Sequence, residues 1–176
     1  DRRQRQMCIR DSIISPEFKE AGHHIYYIKH TPNDNQTPNY EELKANFAKV
    51  RELIRKGVIC SAATVKFGGL AEALCKMSFG NKIGVEVKTS EHIFDLSIGS
   101  IVVESSEAIY DEAFVLLGKT TDADTICINE ECITIDKAIT AWCERYNTMY
   151  PMTVDQEKGV IETPEYTANE RVHAKK

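Results

Sequence analysis

The sequence predicts one α/β domain, an α+β or α/β sandwich in which helices pack on a mixed sheet. Its 176 residues suit a single domain, and its 42% hydrophobic and 28% charged content is typical of globular proteins. Short apolar and β-branched runs are interspersed with amphipathic helical patterns, which is the arrangement expected of a sheet covered by helices. We expect the core of this domain to lie within residues 13–151.

The first elements follow from local patterns. Residues 25–28 form an apolar run that predicts a strand. A helix is predicted next, because Asn39 and Glu42 have capping-box spacing and Lys56-Gly57 supplies an end signal. The apolar side chains that recur at helical intervals between these signals are Leu43, Phe47, Val50 and Ile54.

The middle of the chain predicts a strand, a glycine turn and a second helix. Residues 58–65 are apolar and β-branched, Gly68-Gly69 interrupts them, and Leu70, Leu74 and Met77 then share one helical face. Further strands are predicted at residues 83–87, 99–104, 114–120, 125–129 and 132–135.

Several smaller features complete this outline. A helix or turn is predicted at residues 107–112, a hairpin connection at Glu130-Glu131, and a last helix capped by Asp136 and extending to Tyr146. We expect three apolar side chains outside the strands to pack on the core, namely Phe94, Leu96 and Trp142.

Charge and cysteine spacing narrow the functional classes. The net charge of −5 offers no broad attraction for nucleic acid or for acidic membranes. The six cysteines show no CxxC spacing, so we predict reduced core thiols in a cytoplasmic protein rather than a zinc site. His23-His24 has no carboxylate or thiol partner at metal-ligand spacing, so we expect solvated turn residues rather than metal ligands.

The two ends differ in composition from the rest. Residues 1–12, DRRQRQMCIRDS, contain four arginines without apolar periodicity and resemble translated adapter sequence, so we expect a non-native extension. Residues 152–176 are mostly polar and are expected to form a linker.

The Gly68-Gly69 turn is the candidate binding site. A strand that passes through two glycines into a helix can present backbone N–H groups to an anion, and Lys66 would add a positive charge. A second interpretation, which the residues alone favour, is that the glycines only permit a tight turn and close packing. No nucleophile and base can be paired, so no catalytic residue is predicted.

Two segments resemble a known enzyme family. The segments are ISPEFKEAG at residues 14–22 and GGLAEALCKMSFGNKIG at residues 68–84. They resemble phosphoribosylformylglycinamidine synthase, in the long form of clostridia-like bacteria. The resemblance continues through residues 99–103, 118–122 and 139–142. It implies a fragment with the fold of an aminoimidazole ribonucleotide synthase C-terminal domain, from the second of the enzyme's two synthase-like halves.

The resemblance also implies a reaction and partners. The family enzyme uses ATP and Mg²⁺ to activate the formamide oxygen of formylglycinamide ribonucleotide, and ammonia released from glutamine gives the amidine. The expected partners are the ribonucleotide substrate, the N-terminal synthase-like domains and a glutaminase domain after the linker; the fragment alone is expected to be inactive. The alternatives are a nucleotide-binding or scaffold half without catalysis, a selenophosphate synthetase or a hydrogenase-maturation protein.

At the glycine turn the chain departs from the family motif. Many relatives carry His-Asp-x-Ser-Asp-Gly-Gly-Leu, in which the first Asp is a magnesium ligand, whereas this chain has Thr64 at that position. Because Mg²⁺ prefers carboxylate oxygens, we expect no metal site here. The resemblance leaves Lys66, Gly68 and Gly69 as the expected phosphate- or nucleotide-binding residues.

Overall fold

The computed structural model describes residues 13–147 and residue 149. The chain divides into two units, residues 1–142 and residues 143–176. The predicted extension at residues 1–12 and the predicted linker at residues 152–176 lie outside the described residues. The described part forms seven strands and three helices: β1 (His24–Ile28), α1 (Tyr40–Arg55), β2 (Ile59–Thr64), α2 (Gly69–Phe79), β3 (Gly84–Val87), β4 (Ile101–Ser105), β5 (Val115–Thr121), β6 (Thr125–Ile128), β7 (Glu131–Thr134) and α3 (Ile135–Asn147).

One mixed sheet contains all seven strands, in the order β2-β4-β1-β5-β3-β6-β7. Strands β1 and β2 both pair antiparallel with β4, and β1 and β3 both pair antiparallel with β5. Strand β6 runs parallel to β3. Therefore β1, β2, β3 and β6 all point the same way, and their carboxyl ends share one edge of the sheet.

Helices cover the sheet on both faces. Alternate residues of a strand point to opposite faces, and in β1 Ile25 joins one apolar cluster while Tyr26 joins the other. The larger cluster lies against α2 and the beginning of α3, and the smaller one lies against α1. The predicted fold class, helices packed on a mixed sheet, is confirmed. None of the described helices is long and apolar enough to cross a membrane.

Helix α1 begins and ends where its sequence signals predict. The Asn39 side chain accepts a hydrogen bond from the Glu42 N–H at 3.3 Å, which satisfies one free donor of the first turn. At the other end, Gly57 has a φ of +74° and donates to Ile54, while Val58 donates to Leu53. These two bonds form a Schellman motif, which requires a residue in the left-handed region.

Helix α3 differs from the prediction at its start. The helix begins at Ile135, and the Thr134 hydroxyl accepts from the Lys137 N–H at 3.4 Å. The cap predicted at Asp136 is therefore wrong, because Asp136 already lies in the first turn, where it pairs with Lys82 at 2.9 Å. The hairpin between β6 and β7 is confirmed, although its turn lies one residue earlier, at Asn129 and Glu130.

Three apolar side chains predicted to pack on the core are instead exposed. Phe94 is 74% exposed and Leu96 is 53% exposed, because Ile93 is the residue of that loop that packs on the larger cluster. Trp142 is 48% exposed, and the Lys76 ammonium lies 4.3 Å from its ring centroid. Residues 107–112 contain no helix: residues 108–111 are irregular, and a turn begins only at Glu112.

The cysteine prediction is wrong for one pair. Cys127 on β6 and Cys132 on β7 are directly opposite each other, with Cα atoms 4.2 Å apart, and they form a disulfide bond. The Cα atoms of directly opposed residues in an antiparallel pair are about 4.5–5.5 Å apart, so the hairpin itself brings the two cysteines together. Cys60, Cys75 and Cys143 are free thiols.

Replacing Leu74 should test the larger cluster. Leu74 is fully buried on α2, and Leu74→Ala should lower the free energy of unfolding by about 2–5 kcal/mol, because it leaves a cavity. Urea denaturation measures the loss. The control is Phe67→Ala: this side chain is 83% exposed, so its removal should change stability by less than about 0.5 kcal/mol. Equal losses would contradict this assignment of the core.

Candidate functional site

The candidate site lies at the shared carboxyl edge of β1, β2, β3 and β6. Four segments leave the sheet there: residues 29–31 after β1, residues 65–68 after β2, residues 88–99 after β3 and Asn129 after β6. We call residues 88–99 the wall loop, because it forms one side of the cavity described below. The common strand direction therefore brings together segments that are distant in sequence.

The Gly68-Gly69 turn joins β2 to α2 and packs tightly under the wall loop. Gly69 has a φ of +68°, and its N–H donates to the Lys66 carbonyl at 3.0 Å. A Cβ atom on Gly69 would collide with the Ile93 carbonyl oxygen and lie 2.7 Å from the Phe94 carbonyl carbon. This close approach supports the interpretation that Gly69 permits a tight turn and close packing.

A carboxylate of the chain itself occupies the beginning of α2. The Glu72 side chain accepts from the Gly68 N–H at 2.8 Å and also pairs with the Lys76 ammonium. Negative charge is favoured at this end of a helix. The hydrogen bonds from Lys76 and Gly68, together with the charges of Lys76 and Lys66, hold the pKa of Glu72 below its ordinary value of 4.5.

The structure places the three predicted binding residues side by side in one turn. Gly68 is the N-cap residue of α2 and Gly69 is its first residue, and the exposed Lys66 lies two residues before Gly68. Lys66 and Gly69 form an isolated β-bridge that closes the turn. Thr64, the residue at the family's metal-ligand position, is exposed at the end of β2. The described residues contain no group of three or more His, Cys, Asp or Glu side chains placed to hold a metal ion.

A cavity of about 490 Å³ opens beside this turn. Its floor includes Tyr27 and Leu70, and the Lys29–Glu91 ion pair, with a distance of 2.7 Å, stands on its rim. The Tyr27 hydroxyl is 2.9 Å from the Ser97 hydroxyl, which ties the wall loop to β1. Lys66, Gly68 and Gly69 do not line the cavity; Leu70 and the wall loop connect it to the turn.

His30 is a residue of this edge that the sequence prediction missed. It is buried, its Nε2 accepts from the Asn39 N–H at 3.2 Å, and its Nδ1 lies 3.0 Å from the Ile98 carbonyl oxygen. Because Nε2 accepts, Nδ1 carries the hydrogen and donates to Ile98. The ring thereby joins β1, the cap of α1 and the wall loop. Its only sequence signal was a histidine two residues after a buried strand.

The prediction that His23 is a solvated turn residue is wrong, and its carboxylate partner lies at the opposite edge of the sheet. His23 Nδ1 is 2.8 Å from Glu104, whose side chain is 0% exposed. Glu104 also accepts from the N–H groups of Lys19 and Glu20 and, at 2.8 Å, from the Ser61 hydroxyl. These donors offset the cost of burying a carboxylate. The pair is 81 residues apart in sequence, so no local pattern announces it.

Two glycine substitutions should separate strain from steric conflict. Gly57 and Gly69 both have positive φ, but a Cβ atom on Gly57 would meet nothing within 4 Å. Gly57→Ala should cost about 1–2 kcal/mol, the price of a left-handed residue. Gly69→Ala should cost clearly more, because the wall loop must also move. Urea denaturation compares the two, and equal losses would contradict the close approach of Gly69 to Ile93.

The acid dependence of stability should report on Glu72. The pKa of the Glu72 carboxyl is lower in the folded state than its ordinary value of 4.5, which we take for the unfolded state. The carboxylate therefore stabilises the fold at pH values above 4.5, and this stabilisation is lost as the pH falls through the folded-state pKa. Glu72→Gln should therefore destabilise the protein at pH 7 and lose less stability on acidification. Urea denaturation from pH 7 to pH 3 measures this. An unchanged pH profile would contradict the role of Lys76 and Gly68.

Curated relatives share part of this sequence. The phosphoribosylformylglycinamidine synthase subunit PurL of Methanocaldococcus jannaschii is 34% identical over 84 residues, which are 46% of this chain and 12% of the relative. The same subunit of Thermococcus gammatolerans is 33% identical over 104 residues, or 50% and 15% of the two chains. The chain thus spans less than a sixth of these relatives. No protein-family model matches it.

Solved structures share its fold. PurL of Thermotoga maritima complexed with AMPPCP has a TM-score of 0.60 at 11% identity, covering 73% of this chain and 27% of that one. The same protein complexed with FGAR has a TM-score of 0.59 at 10% identity, covering 73% and 29%. The predicted fold, like that of an aminoimidazole ribonucleotide synthase C-terminal domain, is confirmed. The predicted resemblance is confirmed as well: this chain is similar in sequence and fold to part of phosphoribosylformylglycinamidine synthase.

Proposed function

We propose that this chain is a fragment of the ATP- and glutamine-dependent ligase that converts formylglycinamide ribonucleotide to formylglycinamidine ribonucleotide in purine biosynthesis. The proposal is supported by the names of the curated relatives and by the fold shared with PurL of Thermotoga maritima, which is solved in complexes with ATP and with FGAR. We assign the fragment to the C-terminal domain of the second synthase-like half of the long, clostridial-type enzyme, at residues 13–151. The enzyme would act in the cytoplasm.

Within that enzyme, the glycine turn would hold a phosphate group of the nucleotide or of the ribonucleotide substrate. The observation that carries this step is the Glu72 carboxylate on the Gly68 N–H. An anion already binds at this helix end, and it belongs to the chain itself. A phosphate has the same charge preference and could replace the carboxylate, with the exposed Lys66 ammonium neutralising it.

The residues of this chain do not fit a Mg²⁺ site. Thr64 offers a hydroxyl where relatives carry a carboxylate, and the described residues show no acidic cluster beside it. The ATP and Mg²⁺ that the reaction requires would therefore be held mainly by the N-terminal synthase-like domains. What this fragment supplies is a positive side chain and a backbone turn, which position an anion without a metal ion.

The remaining partners of the fragment follow from the same proposal. Residues 152–176 would lead to a glutaminase domain that releases ammonia, and residues 1–12 would be a non-native extension. Alone, the fragment would be inactive, because we assign both the nucleotide-activating centre and the source of ammonia to other domains of the enzyme.

A scaffold role is the second candidate. The tight packing of Gly69 under Ile93 and the internal occupation of the Gly68 N–H by Glu72 would serve a purely structural turn equally well. A hydrogenase-maturation protein, HypE of Escherichia coli, has the same general fold, with a TM-score of 0.51 at 8% identity, so the fold does not require ligase activity. Ligand binding separates these candidates.

Thermal unfolding with ligands should test the phosphate site. At a ligand concentration tenfold above Kd, formylglycinamide ribonucleotide or ADP should stabilise the chain by about 1.4 kcal/mol, or about 3–6 °C in Tm. Lys66→Ala should weaken binding about tenfold, because an exposed positive charge next to the phosphate is lost. Glu72→Gln should strengthen it about tenfold, because the competing negative charge is removed.

The matched control is Lys56→Ala. Lys56 is exposed and follows α1 at the opposite edge of the sheet, so its removal lowers the net charge equally without touching the turn. It should leave the thermal shift unchanged. No shift with either ligand, in both the unaltered chain and Glu72→Gln, would favour the scaffold role. Equal losses for Lys66→Ala and Lys56→Ala would contradict a specific site.

A further inference from the structure

The disulfide lies on the outer side of the β6–β7 hairpin. Cys132 is exposed and Cys127 is partly buried, whereas Ile126 and Ile128 on either side of Cys127 face the core. Strand β7 is the last strand of the sheet. A thiol reagent can therefore reach the Cys132 sulfur without unfolding the core. Burial, in contrast, raises the pKa of the free Cys75 thiol, so this thiol is expected to react slowly.

The bridged hairpin is attached to the wall loop through its turn. Asn129 lies between the two cysteines in sequence, has a φ of +57°, and accepts from the Thr89 N–H at 2.9 Å through its side chain. Its own N–H donates to the Val87 carbonyl at 2.8 Å. The Thr89 hydroxyl in turn accepts from the Glu91 N–H at 3.1 Å.

These contacts continue to the cavity. Glu91 pairs with Lys29 at 2.7 Å, and both residues line the cavity. A continuous series of bonded groups thus runs from the disulfide through Asn129 and Thr89 to the cavity rim. The disulfide restrains the two strands that present Asn129, and Asn129 restrains the first residues of the wall loop.

We propose that Cys127–Cys132 is a site of reversible thiol–disulfide modification that controls the order of the wall loop. In the oxidised chain the bridge fixes the Asn129 turn, and the turn holds Thr89. In the reduced chain the hairpin keeps its backbone pairing but loses its cross-link, so Asn129 releases Thr89 more often. The proposal is independent of which ligand the cavity or the glycine turn binds.

The chemistry requires a dithiol reductant. One thiolate of the reductant attacks the exposed Cys132 sulfur, the Cys127–Cys132 bond breaks, and Cys127 leaves as a thiolate that takes up a proton. The second thiolate of the reductant then attacks the mixed disulfide and releases Cys132. Two electrons reduce the chain, and the reductant leaves as a disulfide. Glutathione disulfide reverses the change and leaves as two glutathione thiols. In cytoplasmic proteins, disulfides are most often of this transient kind.

Hydrogen exchange on the whole 176-residue chain should test the proposal. We expect the Thr89 amide to exchange at least fivefold faster after dithiothreitol than before it. Mass spectrometry after thiol alkylation, in glutathione buffers from fully reduced to fully oxidised, should show Cys127 and Cys132 changing together. Equal exchange of Thr89 in both states would overturn the proposal, and so would a pair that stays in one state across all buffers.

Three variants make the test specific. The double variant Cys127→Ser and Cys132→Ser should show fast Thr89 exchange with or without reductant. Asn129→Gly preserves the positive φ and the disulfide but removes the side-chain acceptor, so it should also give fast exchange in both states. Cys60→Ser should behave like the unaltered chain. If Asn129→Gly still responds to reductant as the unaltered chain does, the coupling through Asn129 is disproved.

Discussion

The close approach of Gly69 to the backbone of Ile93 is the contact on which the candidate site depends. It requires a residue without a side chain and with positive φ, and only glycine adopts that conformation without cost. The Ala71 N–H then reaches the Ile93 carbonyl at 2.9 Å. This contact positions the wall loop over the beginning of α2, and the glycine turn and the cavity share that loop as a common boundary.

The two edges of the sheet at which the strands begin and end differ in structure. At the edge where β4 ends, Glu104 gathers backbone and side-chain donors from residues 19–23 and from β2, and so fixes the entry of the chain into the sheet. The hydrogen-bond partners described for the Glu104 carboxylate are all groups of the same chain. At the other edge, the ends of four strands leave a cavity. The beginning of α2 also lies there, and the anion bound to it is the Glu72 side chain of the same helix. The Glu104 edge is thus closed by contacts within the chain, whereas the other edge leaves a cavity.

Local rules predicted the elements whose determinants lie within a few residues. Asn39, Gly57 and the Gly68-Gly69 pair mark their helix ends in sequence and in structure, because capping and left-handed φ are local requirements. The pairing of His23 with Glu104 depended on residues 81 positions apart, and the disulfide depended on strand register. Phe94 and Trp142 were misplaced because hydrophobicity alone does not say whether an element covers a residue.

The candidate site shows the same division. The sequence placed Lys66, Gly68 and Gly69 correctly in one turn between a strand and a helix. Glu72 was within reach of the same reasoning, because it lies four residues after Gly68 in a first turn that favours acids. The cavity could not be predicted in this way, because its walls come from β1, the loop after β1, α2 and the wall loop. Only the direction and order of the strands bring those segments together.

Strand β2 is one of the two outermost strands of the sheet, and its composition leaves it open to pairing. Among the strands that the structure describes, β2 pairs only with β4, and its residues, ICSAAT, include no charge. The strand at the other end, β7, begins with Glu131 and leads directly into α3. Natural sheets usually protect an edge with charge, proline or a covering element. Because β2 has no charge or proline of its own, its unpaired backbone N–H and C=O groups are the part of the described sheet that is least protected against pairing with a further strand.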